Sequence, residues 1–133
     1  MSNPLISARW YALRDIDEAA GRARLRFITD VPGQQAVYML KLQQATAYLQ
    51  ALSKSPAAAV PPYIAAESAA TGQTPRQVAD LVVTLSATWN DEAGPAIEGL
   101  RMGGKAAVYA AVTLGAIESA KTSAIQALDA FGT

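Results

Sequence analysis

The sequence contains no cysteine and no histidine in 133 residues. The first absence excludes disulfides and thiolate nucleophiles, and the second excludes every imidazole-based acid–base mechanism. Together they exclude zinc sites of the Cys/His type. Charge is scarce and balanced: charged residues are 17% of the chain, with eleven Lys and Arg against eleven Asp and Glu. No long-range field therefore favours nucleic acid or an anionic bilayer, and neither is expected as a partner. The longest uncharged stretch near the end, Ala106 to Ile117, is too short to span a bilayer. Met1 to Trp10 lacks the charged-then-apolar run of a secretory signal, so synthesis in the cytoplasm is expected. Apolar residues make up 51% and alanine alone occupies 29 positions, so the chain must bury surface and is no disordered linker.

Hydrophobic periodicity predicts an all-α protein. Ile6, Trp10, Leu13, Ile16, Ala20, Ala23 and Phe27 recur at steps of four and three, which predicts a helix over 6–29 with these residues on its buried stripe. A rival reading takes Arg22 to Phe27 as an edge strand, because Arg22, Arg24 and Arg26 alternate with apolar residues. The longer helical register favours the helix. Asp30-Val31-Pro32-Gly33 supplies a turn. Tyr38, Leu42, Ala45, Leu49 and Leu52 predict a second helix over 34–52. Pro56, Pro61 and Pro62 then mark a surface connection, and Pro62 opens a short helix over 62–71 stopped by Gly72.

Thr74-Pro75-Arg76-Gln77 is a capping box with proline at the first helical position, and it starts a helix over 75–90 whose buried face is Val78, Leu81, Val82, Leu85 and Trp89. Asn90 to Pro95 interrupts it, as a kink or a two-helix corner. Helices over 95–112 and 114–131 follow, with Ile97, Leu100, Gly104, Val108 and Ala111 on one seam and Ile117, Ala120, Ala124, Leu128 and Phe131 on the next. Short connections and the lack of any sheet pattern predict one domain, an antiparallel bundle of four to five helices with a short extra helix. So many core positions are Ala or Gly that a single protomer buries few large side chains, which predicts self-association.

Two constellations read as contact surfaces. Gly99, Gly103, Ala107, Ala111 and Gly115 fall at steps of four, a small-residue stripe that lets another helix come close, within the bundle or between chains. Arg22, Arg24 and Arg26 form a small basic patch for solvent, local salt bridges or an acidic partner surface. Chemistry has no visible apparatus: Gly103-Gly104 has no strand before it and no Lys-Ser or Lys-Thr after it, and no serine sits in a nucleophile elbow. Asp91 and Glu92 are adjacent and project in different directions, poor geometry for a catalytic carboxylate pair. No cofactor, metal or catalytic residue is expected. The aromatics Trp10, Tyr11, Tyr38, Tyr48, Tyr63, Trp89 and Tyr109 read as core at helical spacing, with a ligand pocket near Trp10, Tyr38 and Trp89 as the competing reading.

The order of features carries a resemblance: Arg22-Ala23-Arg24-Leu25-Arg26-Phe27-Ile28-Thr29, then Pro32-Gly33-Gln34, then Tyr38 and Lys41. Pro62-Tyr63, Ala65-Ala66-Glu67, Gly72 and Thr74, Trp89, Ile97-Glu98, Arg101 and Lys105 continue it. This series resembles a family of small α-helical proteins and domains encoded among the tail genes of bacteriophages and prophages, close to tail-fibre genes. The resemblance implies a non-enzymatic structural role in the virion tail, with a fibre or baseplate protein as partner. Fibres are commonly trimeric, so a homotrimer or a protein capping a trimer suits the symmetry of such a particle. A tail-fibre assembly chaperone, absent from the mature particle, is the alternative. Pro95 departs from the continuous helix that the resemblance implies at that point.

Overall fold

The computed structural model describes residues 3–28 and 32–133. Among the described residues the protein is all-α: α1 (Pro4–Arg24), α2 (Gln34–Lys54), α3 (Pro62–Thr71), α4 (Pro75–Ala87), a π-helical segment (Thr88–Ala93), α5 (Gly94–Ala110) and α6 (Leu114–Ala130), with no strand. Where the sequence reading expects one domain, the helices close two compact units, Met1–Ile28 with Asp91–Thr133 and Thr29–Asn90. The apolar seams are narrow, so each helix packs against only two others: α1, α5 and α6 on one another, and α2, α3 and α4 on one another.

Local chemistry sets most helix ends. Asn3 Oδ1 accepts from the Leu5 amide at 2.9 Å and Pro4 begins α1. The Thr74 hydroxyl accepts from the Gln77 amide at 3.1 Å while Gln77 Oε1 accepts from the Thr74 amide at 2.9 Å, the reciprocal box that the sequence predicts. Gly72 ends α3 with a left-handed φ of 76°, and Thr113 caps α6 by accepting from the Ala116 amide at 3.0 Å.

α1 is shorter than the periodicity predicts, stopping at Arg24. The Arg26 and Phe27 amides turn to the carbonyls three residues back, at 3.2 and 2.9 Å, as Phe27 packs on Phe131 with ring centroids 5.7 Å apart. Arg26 therefore lies beyond the helix and does not share a helical face with Arg22. Thr29, the predicted last residue of that helix, and Asp30 and Val31 of the predicted turn lie outside the described residues. The predicted break at Asn90–Pro95 is filled by the π segment. Pro95 offers no amide and its ring crowds the carbonyl four residues back, and the wider π turn accommodates both while the backbone stays helical.

In the unit of α1, α5 and α6, the fully buried larger side chains are Ile16, Ile97, Val108 and Leu128, with Ile117 close behind. Alanines fill the rest, including Ala12 and Ala19, which the predicted stripe of α1 omits. Ile6 and Trp10, expected on that stripe, are exposed, Trp10 at 60%. The unit of α2, α3 and α4 closes around Tyr48, Ile64, Val78 and Val82. Gln44 on α2 accepts from the Tyr63 amide at 2.8 Å at the start of α3, and Lys41 pairs with Glu67 at 2.6 Å. Leu81 and Leu85, expected inside, are exposed. The expectation of core aromatics holds for Tyr48 and fails for Trp10, Tyr11, Tyr38 and Tyr109, which remain exposed.

Candidate functional site

The site is built from α5. Its charged residues are Glu98, Arg101 and Lys105, whose spacing places them on one edge of the helix. All three turn to α1. Asp17 receives Arg101 at 2.9 Å and Lys105 at 3.1 Å, while Glu98 receives Arg101 at 2.6 Å and Arg24 at 3.0 Å. Partial burial works against the Asp17 carboxylate, but hydrogen bonds from Arg101 and Lys105 outweigh it and hold its pKa below the ordinary value. Glu98 is held below its ordinary value chiefly by the Arg101 hydrogen bonds, and the same bonds raise Arg101 further above its own.

With its charges committed to that edge, the rest of α5 is left uncharged. Gly99, Met102, Gly103, Ala106, Ala107, Tyr109 and Ala110 are exposed, Tyr109 at 64%. A shallow groove of about 460 Å³ runs between this face and α6. Gly99, Gly103 and Ala107 line one wall, and Ser119, Ala120, Ser123 and Ala127 line the other. Serine hydroxyls are thus the main side-chain polar groups it offers, and no ionisable side chain lines it. Such a surface suits close approach of a backbone, because small residues let a second helix sit near enough for dispersion contacts along its length.

Of the two roles open to the predicted stripe, packing within the bundle does not hold at its glycines. A β-carbon added at Gly99, Gly103 or Gly115 meets nothing within 4 Å, so these glycines face open space. Ala111 alone of the stripe is buried, and its carbonyl accepts from Arg9 at 2.7 Å beyond the end of α5. The residue that brings α5 against α6 is Gly104, where an added β-carbon would stand 2.5 Å from that of Ala124 and 3.4 Å from Ile16 Cδ1.

Of the three predicted arginines, Arg22 and Arg26 meet at Asp129 near the end of α6, while Arg24 turns to α5. Arg22 holds Asp129 through two bonds of 3.2 and 3.3 Å, and Arg24 joins Glu98. Arg26 donates to the carbonyls of Leu128, Asp129 and Phe131 at 2.9, 2.8 and 2.6 Å, which caps the end of α6. Of the aromatics in the competing pocket reading, Trp10 belongs to the unit of α1, α5 and α6, whereas Tyr38 and Trp89 belong to the other. Among the described residues no group of three or more Asp or Glu is placed to hold a metal ion, and no helix is long and apolar enough to cross a membrane. The chain matches no family model, no curated protein and no solved structure.

Proposed function

We propose that this protein is a non-enzymatic structural and interaction component of a bacteriophage tail, carried in the virion, which receives a helix of a fibre or baseplate protein in the groove between α5 and α6. The observation that carries the reading is the uncharged groove itself, with Gly99 and Gly103 open to approach and Met102 and Tyr109 exposed beside them. A monomer gains nothing from leaving such a face bare, and helix docking covers it with area and packing alone. The resemblance to tail-associated helical proteins supplies the setting.

Quantitative mass spectrometry of purified particles, counted against a tail protein of known symmetry, tests the reading. A fixed copy number is expected. Abundance in the infected lysate with absence from particles would reassign the protein as an assembly chaperone. A β-carbon at position 103 meets nothing within 4 Å, so Gly103→Leu extends its side chain into the groove. The variant is therefore expected to fold normally and to be lost from particles, and incorporation at the wild-type ratio would rule the groove out as the contact surface.

A further inference from the structure

The chain passes from one unit to the other after Ile28 and again after Asn90. The second passage falls inside the π segment, Thr88–Ala93, where the path of α4 runs on into α5. The helices on either side are firmly seated. Upstream, Val78, Ala79 and Val82 hold α4 in the core of its unit. Downstream, Ile97 is fully buried, and Glu98 and Arg101 pair with α1. Among the residues between Val82 and Ile97, all of them described, only Ala93 is buried, and Asn90, Asp91, Glu92 and Pro95 are exposed. Bending here therefore disturbs almost no side-chain packing. The backbone is least restrained at the same place. Pro95 has no amide, so no hydrogen bond runs from residue 95 to the Asp91 carbonyl, and its ring crowds that carbonyl in an α-helical turn. Sharp bends in helices concentrate at prolines and π turns, and this stretch has both. Near the other passage, Gly33 stands at a left-handed φ of 81° with nothing within 4 Å of where a β-carbon would be, so no side chain resists a change in its dihedrals.

We propose that the stretch from Thr88 to Pro95 is a hinge, about which the unit of α2, α3 and α4 moves as one body against the unit of α1, α5 and α6. Hinges of this kind are a few residues at the ends of elements that absorb the change in φ and ψ while the packed elements move whole. Pro95 keeps the hinge open. With an amide at position 95 the segment gains a hydrogen bond to the Asp91 carbonyl, and α4 and α5 join as one stiff α-helix. The inference makes no use of the α5–α6 groove, so the two readings stand or fall independently.

Because the chain has no cysteine, pairs of introduced cysteines carry spin labels without competition, and pulsed electron–electron resonance on the full chain reads the distribution of distances between them. Thr84→Cys with Thr122→Cys reports across the hinge. Gln43→Cys with Thr84→Cys, and Glu18→Cys with Thr122→Cys, report within each unit, and all of these positions are exposed. The distribution across the hinge is expected to be at least about twice as wide as either distribution within a unit. Pro95→Ala, with folding checked by circular dichroism, is expected to narrow it to the width found within the units. A distribution across the segment as narrow as those within the units, or one whose width a folded Pro95→Ala variant leaves unchanged, would overturn the proposal. The three wild-type distributions decide the point by themselves even if Pro95→Ala unfolds the chain.

Discussion

Gly104 sits so close to Ala124 that a β-carbon at position 104 would stand 2.5 Å from the Ala124 β-carbon, whereas one at the adjacent Gly103 would meet nothing within 4 Å. The two neighbours differ by about 100° around the helix, and that rotation separates a packing residue from a surface one. Gly104→Ala is expected to destabilise the protein by roughly 1–2 kcal/mol, overpacking outweighing the gain in helix propensity. Gly103→Ala adds a methyl group to open space inside a helix and is expected to stabilise by about 0.5–1 kcal/mol. Urea denaturation of the two variants checks this, and equal shifts of the same sign would contradict the placement of Gly104.

Arg26 is expected to hold the end of α6. Its guanidinium reaches three carbonyls of the last turn, at 2.6 to 2.9 Å, where unpaired acceptors and the negative end of the helix dipole favour a cation. Arg26→Ala should cost about 1–2 kcal/mol and speed amide exchange near the α6 C-terminus. Arg26→Lys should recover only part of the loss, because an ammonium cannot span three acceptors as the planar fork does. Exchange at wild-type rates in Arg26→Ala would show that the capping contacts carry no weight.

Helix boundaries were largely legible in the sequence because they depend on local chemistry. Pro62, Gly72 and the Thr74–Gln77 box act within a few residues of themselves, and α3 and the start of α4 fall where those residues put them. Faces were less legible. On α1 the exposed Ile6 and Trp10 and the buried Ile16 and Ala20 follow one rule of spacing, and what decides between them is close approach to α5 and α6, which the small Ala12 and Ala19 permit. The small-residue stripe was visible, but not which way it pointed. The signal that orients α5 is electrostatic: Arg101 turns toward Asp17, and Gly104, three residues on, lies next to that edge while Gly103 lies away from it. The π turn had no signal beyond Pro95, since the residues that announce a break do not say how the backbone absorbs it.

The capping box at Thr74 offers a clean test of a local term. Thr74→Ala removes the acceptor for the Gln77 amide and should cost about 1 kcal/mol. Thr74→Ser keeps the oxygen and should lose far less. Because α4 carries Val78 and Val82 into its unit's core, the loss should appear in global unfolding by fluorescence or circular dichroism. A Thr74→Ala midpoint equal to wild type would mean that solvent satisfies the amide equally well.

Stability toward acid is expected to depend on Asp17 and Glu98. Both carboxylates have folded pKa values below their ordinary ones, held there by Arg101 with Lys105 beside Asp17 and Arg24 beside Glu98. A carboxylate depressed on folding stabilises the protein at pH above its unfolded value, about 4, and this stabilisation is lost as pH falls through the lower folded value. The melting temperature should therefore be nearly flat from about pH 5 to 8 and fall steeply below about pH 4. Asp17→Asn removes one of the two titrations, so its plateau should lie lower and its acid slope should be shallower. Arg101→Met removes the donor common to both carboxylates and should flatten the slope further, with the difference from wild type shrinking in high salt because these pairs are partly exposed. An acid slope in Arg101→Met as steep as that of wild type would show that the network of Asp17, Glu98 and Arg101 does not set the pH dependence.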